Sequence, residues 1–177
     1  VVIKFVNDGL QPIFFCGVRS ILAVGFIYLW MRYKKIPIII KVANLKNGIL
    51  AGFAFSAQFF CLFLALDFTS VIRTSIIYYS MPIWVTILSH FIIPNDKISS
   101  LKVLGLLVAF CGLILVFLSI DSSNLSSSMV GDFFALAGAI SWALIIIIAK
   151  GTSFSDEVPE MQLLWMVSVS GIVLLLL

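Results

Sequence analysis

Charge is what this sequence has least of: Asp, Glu, Lys and Arg make up 11% of its 177 residues, where soluble domains carry about 25%. With 62% hydrophobic residues and a mean hydropathy of +1.21, no soluble fold could cover its apolar surface. Histidine is reduced to one residue, His90, and the three cysteines, Cys16, Cys61 and Cys111, lie inside apolar stretches without metal-like spacing or a partnered His. They read as small buried hydrophobes, and no metal site follows from them. No Gly-x4-Gly-Lys-Ser/Thr loop is present, so direct use of ATP by this chain is not expected and no cofactor is implied. The eight acids are dispersed through loops and no nucleophile has a paired base, which argues against a membrane enzyme acting on lipid-linked substrates.

What the chain does have is long apolar runs. Crossing roughly 30 Å of hydrocarbon takes about 20 residues of helix; segments 12–31, 47–66, 70–93, 101–119 and 133–149 meet this, and a sixth from 161 onward is cut short. Lipid offers nothing to an unpaired backbone amide, and runs of this length exclude the alternating strands of a membrane barrel, so the spans are helices. The connections are short and carry turn chemistry: Ile36-Pro37, Pro94-Asn95-Asp96 and the Ser-rich stretch 121–128. The expected fold is an all-α integral membrane protein with about five complete transmembrane helices and partial ones at both ends. Residues 1–6 read as the tail of a preceding helix, because Val1 is not Met and a signal peptide would need a basic start.

Lys and Arg fall almost entirely on one side of this zigzag. Loops 32–46, 94–102 and 150–160 hold Arg32, Lys34, Lys35, Lys41, Lys46, Lys97, Lys102 and Lys150, whereas 67–70 and 121–132 hold none. Short loops rich in basic residues stay on the cytoplasmic face. The chain is therefore expected to be multi-pass in the cell (inner or plasma) membrane, those three loops cytoplasmic, its first complete helix entering from outside. The net charge of +3 is topogenic on this reading and implies no nucleic-acid partner.

Residues 1–25 and 147–171 share a pattern: apolar residues, then Lys4 or Lys150, an acidic polar loop, Pro12 or Pro159, and an apolar span. The copies are offset by five helices, and an odd shift makes them face opposite ways across the bilayer. That spacing predicts an inverted repeat, an arrangement frequent among secondary transporters.

The stretch 65–118, ALDFTSVIRTSIIYYSMPIWVTILSHFIIPNDKISSLKVLGLLVAFCGLILVFL, resembles the end of an EamA domain of the drug/metabolite transporter superfamily. It has the short turn after the third helix, the central Pro82 in the fourth, a polar turn, and Gly105 and Gly112 as Gly-x6-Gly in the fifth. Arg19 falls where that family places an arginine, and 131–150, GDFFALAGAISWALIIIIAK, is similar to the first helix of a second copy. One departure is Pro94-Asn95-Asp96-Lys97 where many members carry Gly-Glu; Asp96-Lys97 keeps the polar turn. The resemblance implies helices two to seven of a ten-helix, 5+5 inverted-repeat permease, with residues 1–120 in the first EamA repeat and 131–177 opening the second.

Ionisable groups inside spans cost about 2.5 to 3.5 kcal/mol at the helix centre and usually face a cavity or a partner. Arg19 is read either as a fixed cation beside a substrate cavity or as a tether to carbonyls or Asp67. Arg73, nearer a span end, either joins the cavity or snorkels to the outer interface. Ser75, Tyr79, Pro82, Thr86, Ser89 and His90 recur at steps of three or four and share one face. Pro82 kinks that helix and frees the carbonyl of Tyr78; the face lines a site or its hydroxyls bond their own backbone. His90, with an unperturbed pKa near 6.5, is the candidate proton-coupling group or an interfacial polar residue. Trp84 and Trp142 lie mid-span and are cavity or packing residues; Gln58 offers an interior amide as tether or substrate contact.

Small-residue stripes at Gly48, Gly52 and Ser56, at Gly105 and Ala109, and at Ala135, Gly138 and Ala139 allow close helix packing and are compatible with a homodimer. The reading is a transporter moving a small metabolite, amino acid or drug-like compound by alternating access, with Arg19, Gln58, Arg73, Tyr79, Trp84, Ser141 and Trp142 as cavity residues and the bilayer and a small molecule as partners. Its rivals are a channel and a non-transporting scaffold.

Overall fold

The structure, a computed structural model, describes residues 12–38, 42–93, 98–118 and 128–176. Lys4, Lys41, the 94–97 turn, residues 121–127 of the Ser-rich stretch and the beginning of the N-terminal repeat copy lie outside the described residues. The described chain is all-helical: α1 (Pro12–Tyr33), α2 (Val42–Phe68), α3 (Val71–Tyr78), α4 (Met81–Ile92), α5 (Ser100–Leu118), α6 (Met129–Gly151) and α7 (Pro159–Leu176), with a 3-10 turn at Ser153–Asp156. Among the described residues, five helices or helix pairs are long and apolar enough to cross a membrane: Ile13–Tyr33, Asn44–Phe68, Val71–Ile92, Met129–Gly151 and Pro159–Leu176. The α5 helix adds a shorter apolar stretch, Ser100–Gly112.

The helices outrun the apolar segments. Counting apolar residues finds the part that faces hydrocarbon, but backbone hydrogen bonding carries the helix on into the polar interface. Thus α2 begins at Val42 and takes in Asn44, Lys46 and Asn47. The Nδ2 amide of Asn44 donates to Glu157 Oε1 at 2.8 Å, while Gln162 Nε2 donates to the carbonyls of Phe154 at 2.8 Å and Glu157 at 3.2 Å. These bonds tie the 3-10 turn to α2 and α7. At the opposite end α6 gains a turn that includes Asp132, a carboxylate favoured beside the positive pole of a helix.

The third span is broken. Ser70 caps α3, its side chain accepting from the Arg73 amide at 3.3 Å; regular helix stops after Tyr78 and resumes at Met81, with Pro82 in the first turn of α4. Tyr79 and Ser80 keep right-handed helical backbone angles and Val71–Ile92 remains one span, so Pro82, which brings no amide donor, stands at the expected kink between two half-helices.

Helix directions follow from facing residues. A Cβ on Gly17 would lie 2.8 Å from Leu175, and one on Gly171 would lie 3.3 Å from Ser20, so α1 and α7 run antiparallel. Gly48 faces Trp165 and Gly52 faces Val169, so α2 and α7 run parallel. Tyr78 faces Gly138 and Ile93 faces Gly151, so the broken span runs parallel to α6. All of this matches an alternating zigzag. A side chain on Gly52 would overlap Val169; the glycine lets the two helices meet backbone to side chain without the hydrophobic drive that water supplies to soluble bundles.

Candidate functional site

One turn of α2 gathers most of the polar and aromatic chemistry. Phe55, Gln58 and Phe59 stand at i, i+3 and i+4 and share a helix face. Gln58 is 3% exposed, and its Nε2 amide donates to the Tyr78 hydroxyl at 2.7 Å. Gly138 closes the same spot from α6: a Cβ there would lie 3.5 Å from the Tyr78 ring and 3.6 Å from the Gln58 carbonyl. Gln58, Tyr78 and Gly138 lie ten, seven and nine residues from Phe68, Val71 and Met129, the ends of their helices at one face of the bundle. At 1.5 Å per residue these are depths of about 10 to 15 Å, near the middle of a bilayer core.

Two buried oxygens in this part of the molecule, Gln58 Oε1 and Thr74 Oγ1, have no hydrogen-bond partner among the described residues. Away from water an unmatched polar atom costs about 1 to 3 kcal/mol, so each is an acceptor available to a donor that fits.

The same turn of α2 reaches two more of the expected cavity residues through aromatic rings. The Arg19 guanidinium stands 4.8 Å above the centre of the Phe59 ring; Phe59 meets Phe55 edge-on at 5.0 Å, and Phe55 lies 6.5 Å from Trp142. Arg19 itself is exposed, a cation held on an aromatic face and not on Asp67. Such a contact contributes about 0.5 to 2 kcal/mol and leaves the N–H groups free for an anion. Ser141, beside Trp142 on α6, is half-buried.

The other expected residues lie apart. Arg73 donates Nε to Asp132 Oδ1 at 2.7 Å and Nη2 to Oδ2 at 2.6 Å, a bidentate pair joining α3 to α6 at the end of the bundle with both side chains partly exposed, 30% and 24%. Tyr79 is 56% exposed. Trp84 directs its indole N–H to Ser80 Oγ at 3.3 Å, within the break. Pro82 is exposed, and His90 lies exposed in the last turn of α4, its ring edge-on to Phe91 at 5.3 Å. The hydroxyls on the face drawn through Ser75 and Thr86 bond their own helix: Ser75 to the Val71 carbonyl at 2.7 Å, Thr86 to that of Pro82 at 2.9 Å, Ser89 to that of Thr86 at 3.1 Å.

Sequence reasoning passed over Tyr78, Asp132 and the Phe55–Phe59 pair. Tyr78 had a signal: with Thr74, buried at 1% exposure, it forms an i, i+4 polar pair beside the face chosen. Asp132 had one too, since few acids lie at the Arg73 end, Asp8, Asp67, Asp121 and Asp132, and its carboxylate partner had to be one of them.

Comparison with known proteins brings in a family. An uncharacterized transporter of Bacillus subtilis (strain 168), YoaV, is 29% identical over 157 residues, 85% of this chain and 51% of that protein. A second from the same organism, the uncharacterized transporter YyaM, is 31% identical over 111 residues, 62% of this chain and 35% of that protein. The chain thus spans about half or less of the length of these relatives. No solved structure is a significant match. The model of the EamA-like transporter family matches residues 1–118, the stretch containing Arg19, the α2 turn and the broken span, and the chain belongs to that family.

Proposed function

We propose that this chain is part of a secondary carrier that moves a small polar solute, an amino acid, a metabolite or a drug-like compound, through a site around Gln58, and that it does so by alternating access and without catalysis. The observation that carries the reading is the unmatched Gln58 Oε1 at mid-depth, next to a helix interrupted between Tyr78 and Met81. A proline in a membrane helix leaves a carbonyl of the preceding turn without its partner, and carriers bind solutes where a span is broken in this way. Arg19 would attract a carboxylate or phosphate, Gln58 would accept from an ammonium or amide, and Trp142 would offer an apolar wall.

The inverted repeat belongs to the same proposal, with repeats over 1–120 and from 131. Lys4 and Lys150 are 146 residues apart (150 minus 4), and the same displacement carries Ala23 to Val169 (23 plus 146). Those two stand at mid-helix where α1 packs on α7, between Ile21, which faces Gly171, and the level of Val24 and Ser168, which line one cleft. A two-fold axis through that contact would exchange the helices, as an inverted repeat requires. The cell membrane as location and the basic end as cytoplasmic follow from the one-sided Lys and Arg; reporter fusions at Asn7, Lys41 and Ser123 test the sidedness, with only Lys41 expected inside.

Flux of radiolabelled amino acids and of a fluorescent organic cation into proteoliposomes tests the site. Saturable flux lowered tenfold or more by both Arg19→Ala and Gln58→Leu is expected. Normal transport by both variants sinks the site, and conductance far above carrier turnover replaces the carrier with a channel.

A further inference from the structure

At the basic end of the bundle two clefts adjoin. One, of about 470 Å³, lies between α1 and α7 and is lined by Val24, Tyr28, Ile38, Met161, Leu164, Trp165 and Ser168. The other, of about 500 Å³, is formed by Arg32, Lys35, Ile36, Pro37 and Ile38. Ile38 belongs to both. An apolar groove therefore starts near the middle of the bilayer and ends, at Ile38, beside a pocket whose charged lining among the described residues is all cationic. From Val24 to Arg32 is eight residues of helix, about 12 Å along the membrane normal.

The backbone holds the basic pocket in shape. Helix α1 ends with the Lys35 amide bonded to the Arg32 carbonyl at 3.2 Å and the Ile36 amide bonded to the Met31 carbonyl at 2.9 Å, the paired bonds of a Schellman cap. The residue in the left-handed position of that cap is normally glycine, yet here it is Lys35, with φ of 55°, alone among the described non-glycine residues in having positive φ. A side chain held in that conformation costs stability and points to a use for it. Lys34 is placed separately, its Nζ 5.2 Å above the centre of the Trp30 ring, so Arg32 and Lys35 are the cations left to the pocket.

We propose that this composite cleft binds an anionic glycerophospholipid, its phosphate between Arg32 and Lys35 and one acyl chain in the α1–α7 groove. The charge complementarity selects an anionic headgroup, and the apolar groove on the other side of Ile38 selects a lipid over a soluble anion. A lone basic cluster would collect anionic lipid without geometry, at about fivefold per basic residue; the groove and the strained Lys35 make a place for one molecule.

The test is thermal unfolding of the purified protein in nanodiscs of phosphatidylglycerol or of phosphatidylcholine, and in phosphatidylcholine with soluble glycerol phosphate. Phosphatidylglycerol raises the midpoint by several degrees, and glycerol phosphate does not. Lys35→Gly relieves the backbone and keeps the fold, so its midpoint in phosphatidylcholine is unchanged or higher while its gain from phosphatidylglycerol falls; Arg32→Gln loses the same gain. Lys46→Gln, which removes equal charge from the same end outside the cleft, retains it. Native mass spectrometry of the unaltered protein should show one retained phosphatidylglycerol, displaced when Val24→Phe fills the groove. Equal midpoints in the two lipids, equal losses in Lys46→Gln and Lys35→Gly, or full stabilisation by glycerol phosphate would each overturn the proposal.

Discussion

Helices α2 and α5 carry the same packing signature and use it oppositely. Each is mostly apolar and has small residues at helical spacing, Gly48, Gly52 and Ser56 in one, Gly105, Ala109 and Gly112 in the other. In α2 all three are buried, and Gly48 and Gly52 face Trp165 and Val169 of α7. In α5 a Cβ on Gly105 or Gly112 would meet nothing within 4 Å, and Leu101 is 79% exposed. Small residues permit a close approach without creating it. In a bilayer, where lipid tails are as apolar as Leu, an outward face has no reason to look different from an inward one.

The largest break in this comparison is Gly52→Leu. Its side chain has no room against Val169, and the parallel α2–α7 contact is fixed from both ends of α7 by the 3-10 turn and by α1. Overpacking of this kind costs about 3 kcal/mol, read as a lowered midpoint of thermal unfolding in detergent. A midpoint within a degree of the unaltered protein would show that α7 does not seat on α2 as described.

Next comes the Arg73–Asp132 pair. Removing one member leaves the other partly buried and unpaired, and since both are about a quarter to a third exposed, water recovers much of the loss; Arg73→Ala should cost about 1 to 2 kcal/mol. The reversed pair, Arg73→Asp with Asp132→Arg, should recover at least half of it in a double-mutant cycle. Additive single effects would mean that the two charges do not meet.

A finer test separates neighbouring tyrosines. Tyr78→Phe removes the acceptor of a buried amide and should cost about 1 kcal/mol, whereas Tyr79→Phe alters an exposed ring and should lie within about 0.5 kcal/mol of zero. Equal effects would place the polar face of α3 where the sequence pattern alone had put it.

That difference between Tyr78 and Tyr79 marks where the sequence stops being legible. Span number, helical class and family membership were readable because the bilayer imposes length and hydropathy on any chain that crosses it. Which face of a span is inward was not, because polar residues at Thr74, Ser75, Tyr78 and Tyr79 populate two adjacent faces, and hydroxyls such as Ser75 can bond their own backbone at 2.7 Å wherever they point. Gln58 could be recognised since a primary amide cannot satisfy all its groups on its own helix. Its partner Tyr78 and the Asp132 of Arg73 are separated from them by 20 and 59 residues, contacts set by tertiary packing and by the extra first turn of α6.

The smallest expected effect bears most directly on the comparison between α2 and α5. Gly105→Leu places a side chain into open space, so no packing is lost, and replacing glycine inside a helix removes a backbone-entropy penalty of about 0.5 to 1 kcal/mol. The variant should therefore be as stable as the unaltered protein or slightly more so, opposite in sign to Gly52→Leu although both convert a glycine in a small-residue stripe to leucine. Lipid would accommodate the added side chain beside Leu104 and Leu107, each 58% exposed. A loss comparable to that of Gly52→Leu would mean that α5 packs against protein in the membrane, and the stripe on α5 would then count as an interface and not as unused surface.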